Sequence, residues 1–196
     1  MTRRFTITYD YLCPFARIAN EAVLEGIDGG KDWDVTFTPF SLAEVHIEDG
    51  EDSVWDRPAG ADGTRGVLAH VWALAVRRIE PGSFGAFHLA LFSARHDEGA
   101  DINDVAALRE VCQSVGLDPD AVAAQVATGE PWEELGTLHT EAVKRWSVFG
   151  VPTFIDADEA VFVRLMERHS VDDVEKVLEM LDWTRLNEFK RTTVPR

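Results

Sequence analysis

Cysteine is scarce in this chain, with only Cys13 and Cys112 in 196 residues. That is too few to staple a fold with disulfides, so the chain must bury a core of its own, which its length allows. Long apolar runs are absent: nothing approaches the roughly 18 consecutive apolar residues of a membrane span. Positive charge is also short, 19 Lys and Arg against 35 Asp and Glu, for a formal charge of −16. The deficit argues against nucleic acid or anionic membrane as partner, because both demand clustered Lys and Arg. The six histidines, at 46, 70, 88, 96, 139 and 169, include no pair at i, i+4, and no Cys-x-x-Cys accompanies them. A metal site is therefore not expected, and the histidines read as surface or packed core residues. Arg3 and Arg4 are not followed by the apolar stretch of an export signal. A cytoplasmic protein is expected.

What is present is a clear alternation of periods. Phe5-Thr-Ile-Thr-Tyr9 reads as a strand, and a helical pattern follows from Phe15 through Val23, with Gly26 and Gly29-Gly30 as its stop. Asp34 to Pro39 reads as a second strand, which makes a βαβ unit with parallel strands. Ser41 to Gly66 loses all period and reads as a long loop with room for a short helix. Its run Glu48 to Asp52 reads as solvated, and Gly60 to Gly66 lacks phosphate-loop spacing. Helical patterns then run over Val67–Ile79, Ser83–Arg95, Asn103–Val115, Asp120–Ala127 and Pro131–Trp146. Thr153–Ile155 and Ala160–Val163 suit a β-hairpin. Ser170 with Asp173 has capping-box spacing ahead of a last helix striped with Val171, Val174, Val177, Leu178 and Leu181. Trp183, Leu186 and Phe189 give the tail an apolar anchor.

Cys13-Pro14-Phe15-Ala16 carries the sharpest chemical signal. A cysteine just ahead of a helix-starting proline meets unpaired N–H groups and the positive end of the helix dipole, which favour a thiolate. The expectation is a partly exposed thiol of depressed pKa. Arg17, one turn along the helix, adds positive charge. The plain alternative is a small hydrophobe in a strand-to-helix turn. Val151-Pro152, directly before the hairpin, is the second signal.

The run from Thr8 to Phe15 after the first strand, the helical insertion, and then Phe149-Gly-Val151-Pro152-Thr-Phe154 together resemble the DsbA-like branch of the thioredoxin superfamily. The similarity is greatest to the group with FrnE-type oxidoreductases and mycothiol-dependent reductases. Kappa-class glutathione transferases and hydroxychromene carboxylate isomerases are relatives. The resemblance implies an α/β thioredoxin-like fold with an inserted all-helical subdomain. The thioredoxin-like part would comprise 1–40 and 147–196, the long loop 41–66, and the helical insertion 67–146. It also implies a cis-proline at Pro152 facing a nucleophilic Cys13, with Pro14, Phe15, Arg17 and Val151 contributing to thiol or substrate binding.

The chain departs from the dithiol members at Ala16, where they have a second cysteine. A self-contained dithiol cycle is excluded at that motif. Cys112, among Val111 and Val115 on a helix, reads as a packing residue too remote to replace it. The leading expectation is a monothiol oxidoreductase without a tightly bound cofactor, resolved by a small thiol, mycothiol or glutathione. Its substrate would be a small or protein disulfide, and a homodimer is left open. A thiol transferase or isomerase and a non-catalytic binding protein are the alternatives. Trp55 and Trp72 could line an apolar pocket, with helix packing the plainer reading for Trp72 and Trp146. Arg164 and Arg168 could meet an anionic ligand or simply face solvent.

Overall fold

The structure, a computed structural model, describes residues 2–58, 61, 64–188 and 190–193. Gly60, Asp62 and Gly63 of the glycine-containing loop and Phe189 of the tail lie outside the described residues. Four strands form one mixed sheet in the order β2-β1-β3-β4. β1 (Arg3–Tyr9) is central and pairs in parallel with β2 (Trp33–Pro39), from Arg3 opposite Trp33 to Tyr9 opposite Pro39. On its other side β1 pairs antiparallel with β3 (Thr153–Asp156), which turns through Ala157 and Asp158 into β4 (Glu159–Phe162). Phe5, Ile7 and Tyr9 alternate along β1 and are all buried, as the period of two requires.

Helix α1 (Pro14–Asp28) crosses from β1 to β2 and packs beside α8 (Val171–Leu181). Pro14 occupies the first turn, where its missing N–H costs nothing. Gly26 does not stop this helix. It lies inside α1, and a Cβ there would fall 2.2 Å from the Trp33 ring, so glycine is needed for the close approach of helix and strand. Gly29 ends the helix. At α8 the Ser170 hydroxyl accepts no hydrogen bond from the helix, so the reciprocal capping box is not formed.

The long connection after β2 contains a single turn, α2 (Leu42–Val45), and a 3-10 turn at Val54–Asp56. α3 (Val67–Ile79), α4 (Phe84–His96), α5 (Val105–Ser114), α6 (Pro119–Ala127) and α7 (Glu130–Trp146) follow before β3. Every residue from Val67 to Val76 is buried, which explains why α3 is apolar all round rather than striped. It is the central post against which α4, α6 and α7 pack. α4 also touches α1, and α7 touches β2, so the core is continuous between the helices and the sheet. Trp72 is sealed in that core, and Trp55 packs against Gly136 of α7. Trp146 donates from Nε1 to the Ala157 carbonyl at 2.9 Å, fixing the end of α7 to the hairpin turn. Trp183 is more than half exposed, which removes it as a tail anchor.

Candidate active site

Cys13 is the N-cap of α1, with extended backbone angles (φ −92°, ψ 115°) and its carbonyl accepting from the Arg17 N–H at 3.1 Å. Strand β1 ends just before it, so its position follows directly from the strand-loop-helix connection. Across the groove the Val151-Pro152 peptide bond is cis. The Cys13 thiol donates to the Val151 carbonyl at 3.5 Å. Chain segments 138 positions apart thus meet at the sulfur.

The expected exposed, acidic thiol is not what this geometry produces. Cys13 is only 9% exposed. Burial pushes its pKa up, against the pull of the Ala16 and Phe15 N–H groups. Asp10 raises it further, while Arg164 lowers it. The helix terminus acts in the direction expected, and desolvation outweighs it. Val151 and Pro152 are also buried, and the Val151 carbonyl is already engaged by the thiol.

Arg17 does not serve the thiol. Its guanidinium is buried and reaches away along α1, from Nε to Glu21 Oε1 at 2.7 Å and from Nη1 to Asp97 Oδ1 at 2.8 Å. Glu21 also receives both Arg168 Nε, at 2.8 Å, and Nη2, at 2.7 Å. Arg17 and Arg168 therefore belong to a structural ion cluster tying α1, the end of α4 and the segment before α8. Burial opposes the charge on Glu21, but the two guanidinium groups hold its carboxyl below the usual range. The cation that acts on Cys13 is Arg164, whose guanidinium carbon lies 5.3 Å from the Phe15 ring and 5.6 Å from the Phe162 ring.

Beneath the cysteine loop is a buried polar layer that motif reading passed over. Asp10 accepts from the Leu12 and Leu42 N–H groups, each at 2.8 Å, and the Cys13 N–H donates to its carbonyl at 3.0 Å. His70 Nε2 stands 3.5 Å from Asp10 Oδ2. The approach is in ion-pair range, and both ring nitrogens of this buried histidine lack a hydrogen-bond partner. Burial would raise the Asp10 pKa, yet the contact with His70 and the two N–H donors hold it below the usual carboxylate range.

A second chain runs from Tyr11 Oη to His88 Nδ1 at 2.7 Å, from His88 Nε2 to Asn20 Oδ1 at 3.0 Å, and from Asn20 Nδ2 to the Ala16 carbonyl at 2.7 Å. The Asn20 amide donates to Ala16, so its oxygen accepts from His88 Nε2–H and leaves Nδ1 to accept from Tyr11. Burial pushes the His88 pKa down to about 3, which keeps the ring neutral. Asp10 carries a local sign in its place at a strand end three residues before Cys13. His70, His88 and Asn20 carry no local sign of their pairing.

Cys112 is fully buried, and burial pushes its thiol up to about 11. Both cysteines are free. Among the described residues no group of His, Cys, Asp or Glu is arranged to hold a metal ion, and no helix is long and apolar enough to cross a membrane.

A strand-helix-strand unit, an antiparallel hairpin entered through a cis-proline, and a cysteine at the first helix terminus define a thioredoxin fold with helices inserted between β2 and β3. The DSBA-like thioredoxin domain family matches residues 6–179, and the chain belongs to it. Among solved structures, a thioredoxin-like oxidoreductase from Silicibacter pomeroyi DSS-3 is 21% identical with a TM-score of 0.62, covering 92% of this chain and 86% of its own. The cytosolic disulfide reductase DsbM from Pseudomonas aeruginosa, solved with GSH, is 17% identical with a TM-score of 0.63, covering 93% and 100%. A 2-hydroxychromene-2-carboxylate isomerase has the same identity and TM-score, 17% and 0.63, covering 93% and 97%. These likenesses are of fold. No curated protein matches the sequence.

Proposed function

We propose that the protein is a thiol-disulfide oxidoreductase that works through Cys13 alone, with a low-molecular-weight thiol of the glutathione or mycothiol kind as second substrate. The observation that carries this reading is the placement of Cys13 Sγ at the α1 terminus against the Val151 carbonyl, with Ala16 where a resolving cysteine would stand and Cys112 sealed in the core. In the first step the Cys13 thiolate attacks one sulfur of a disulfide. The Cys13–S bond forms as the S–S bond breaks, and the electron pair leaves with the departing thiolate. In the second step the small thiol, as thiolate, attacks the mixed disulfide, releasing Cys13 and a new disulfide. The Ala16 and Phe15 N–H groups stabilise the Cys13 anion whenever it forms.

One observation favours a second reading. The raised pKa and the S–H donated to Val151 describe a resting thiol, not a thiolate. Such a group can orient a bound cosubstrate by donating a hydrogen bond, as a transferase or isomerase would require. A Cys13→Ser variant separates the two. A hydroxyl cannot form the mixed disulfide, so disulfide exchange is expected to vanish; retained turnover would establish the orienting role instead. Mass spectrometry of protein from its own host, expected to find a small-thiol adduct on Cys13, would identify the second substrate. A cytoplasmic location is part of the proposal, since a monothiol cycle depends on a small-thiol pool.

A further inference from the structure

A cleft of about 320 Å³ opens beside Leu12, the residue before Cys13, between Arg65, Arg95, Asp101 and Asn103. Its walls come from three separate segments, and each is tied down. The Gly66 N–H donates to Asn103 Oδ1 at 2.6 Å. His96 Nε2 donates to the Tyr11 carbonyl at 2.9 Å. Gly66 has a φ of +84°, and a Cβ there would meet Leu12 at 3.0 Å, so the loop bearing Arg65 seats directly on the cysteine loop.

The cleft is also electrically unusual. In this acidic chain, Arg17, Arg77, Arg78 and Arg168 are all paired with carboxylates. Arg65 and Arg95 are not: among the described residues neither has a salt-bridge partner, and Arg95 Nε is buried without a hydrogen-bond acceptor. Among the described residues lining the cleft the one acid is Asp101, which accepts from Asn103 N at 3.0 Å and Nδ2 at 2.8 Å. Among the described lining residues, two guanidinium groups stand against one carboxylate at the edge of the cysteine loop.

We infer that Arg65 and Arg95 bind an acidic group, a carboxylate, on the sulfur compound that reacts at Cys13. This rests on Cys13 being the nucleophile. Paired guanidinium groups suit a carboxylate through charge-assisted, bidentate hydrogen bonds. The carboxylate belongs either to the disulfide or to the thiol that resolves it, and the two steps can be assayed apart.

The first arm measures reaction of Cys13 with dianionic dithiobis(nitrobenzoate) and with neutral dithiodipyridine, in the wild type and in the Arg65→Gln/Arg95→Gln double variant. Each reaction forms the Cys13–S bond, breaks the reagent's S–S bond and releases one aryl thiolate. The second arm takes the mixed disulfide of Cys13 with mercaptoethanol and measures release of the Cys13 thiol by mercaptopropionate and by mercaptoethanol, each reaction forming a disulfide between the two small thiols as the Cys13–S bond breaks. Losing hydrogen bonds to a charged group should slow the carboxylate-bearing reagent roughly tenfold or more in one arm, with the neutral reagent unchanged as the control for folding. An Arg4→Gln variant, which removes one guanidinium charge at an exposed site paired with Asp34, should change nothing. An effect in the first arm places the acid on the disulfide, and one in the second places it on the resolving thiol. If the double variant leaves all ratios unchanged, the acid site is wrong while Cys13 stands. If neither disulfide reacts at Cys13, the nucleophile reading falls and takes the site with it.

Discussion

The Cys13 thiol points at the Val151 carbonyl from 3.5 Å, and Cys13 is almost wholly buried. An S–H directed at a carbonyl oxygen is the protonated form, since a thiolate there would face a negative dipole. The helix terminus and Arg164 favour the anion, whereas burial and Asp10 oppose it, and burial is the largest of these effects.

The rate of Cys13 alkylation against pH should therefore have its midpoint above the ordinary thiol value of about 8.5. Arg164→Met removes the cation that favours the thiolate and should slow alkylation at neutral pH by roughly twofold or more. A midpoint below the ordinary value would show that the sulfur is less covered than the contact with Val151 implies.

Ala16→Cys should create a Cys-x-x-Cys pair one helical turn deep, able to close a disulfide and to show a dithiol reduction potential. The unaltered protein should give only adducts or sulfenic acid at Cys13 on oxidation. Cys112, buried and with a thiol raised to about 11, should alkylate only on unfolding. A native Cys13–Cys112 bridge in peptide maps would sink the monothiol mechanism.

Acid should destabilise the fold before its carboxylates titrate. Burial holds the pKa of His139 down to about 4 and that of His88 to about 3, against about 6.5 in the unfolded chain. Below that value the unfolded chain binds protons that the native one excludes. Stability is thus full above about pH 6.5 and falls toward pH 4 by about 1.4 kcal/mol per pH unit for each such histidine. His139 stacks on Phe40 at 4.3 Å, and its Nδ1 has no hydrogen-bond partner. His139→Phe should accordingly flatten the pH dependence in urea unfolding while costing little at pH 7.

Asp10→Asn tests the buried layer. It replaces the charged acceptor of the Leu12 and Leu42 N–H groups with a neutral one, so a loss of about 2 kcal/mol is expected at neutral pH. Asp10 has a lowered pKa, so its contribution is present above the unfolded carboxyl value and disappears as pH falls through the native one. The same variant should lower the alkylation midpoint of Cys13, because the Asp10 charge raises it. No change in that midpoint would separate Asp10 from the thiol.

The strands, the parallel βαβ unit, the hairpin and the helices between them were legible in the chain itself, α3 with the same ends as its pattern. Backbone period, Pro14 at a helix start and the turn at Ala157-Asp158 act over a few residues, and local sequence is enough to specify them. The placement of Cys13 at a helix terminus was legible for the same reason. Its protonation was not, because that depends on burial of the thiol by the folded chain and on the Val151 carbonyl meeting the sulfur from 138 positions away. Arg17, one turn from Cys13, was claimed instead by Glu21 and Asp97, and no spacing rule says which way a long side chain turns. The meeting of Asp10 with His70, and of Tyr11 with His88 and Asn20, exists only because α3 and α4 fold back onto the cysteine loop. Sequence determined the elements and the nucleophile's place. Tertiary structure decided its charge state, because desolvation and ion pairing are set by which distant groups displace water from the site.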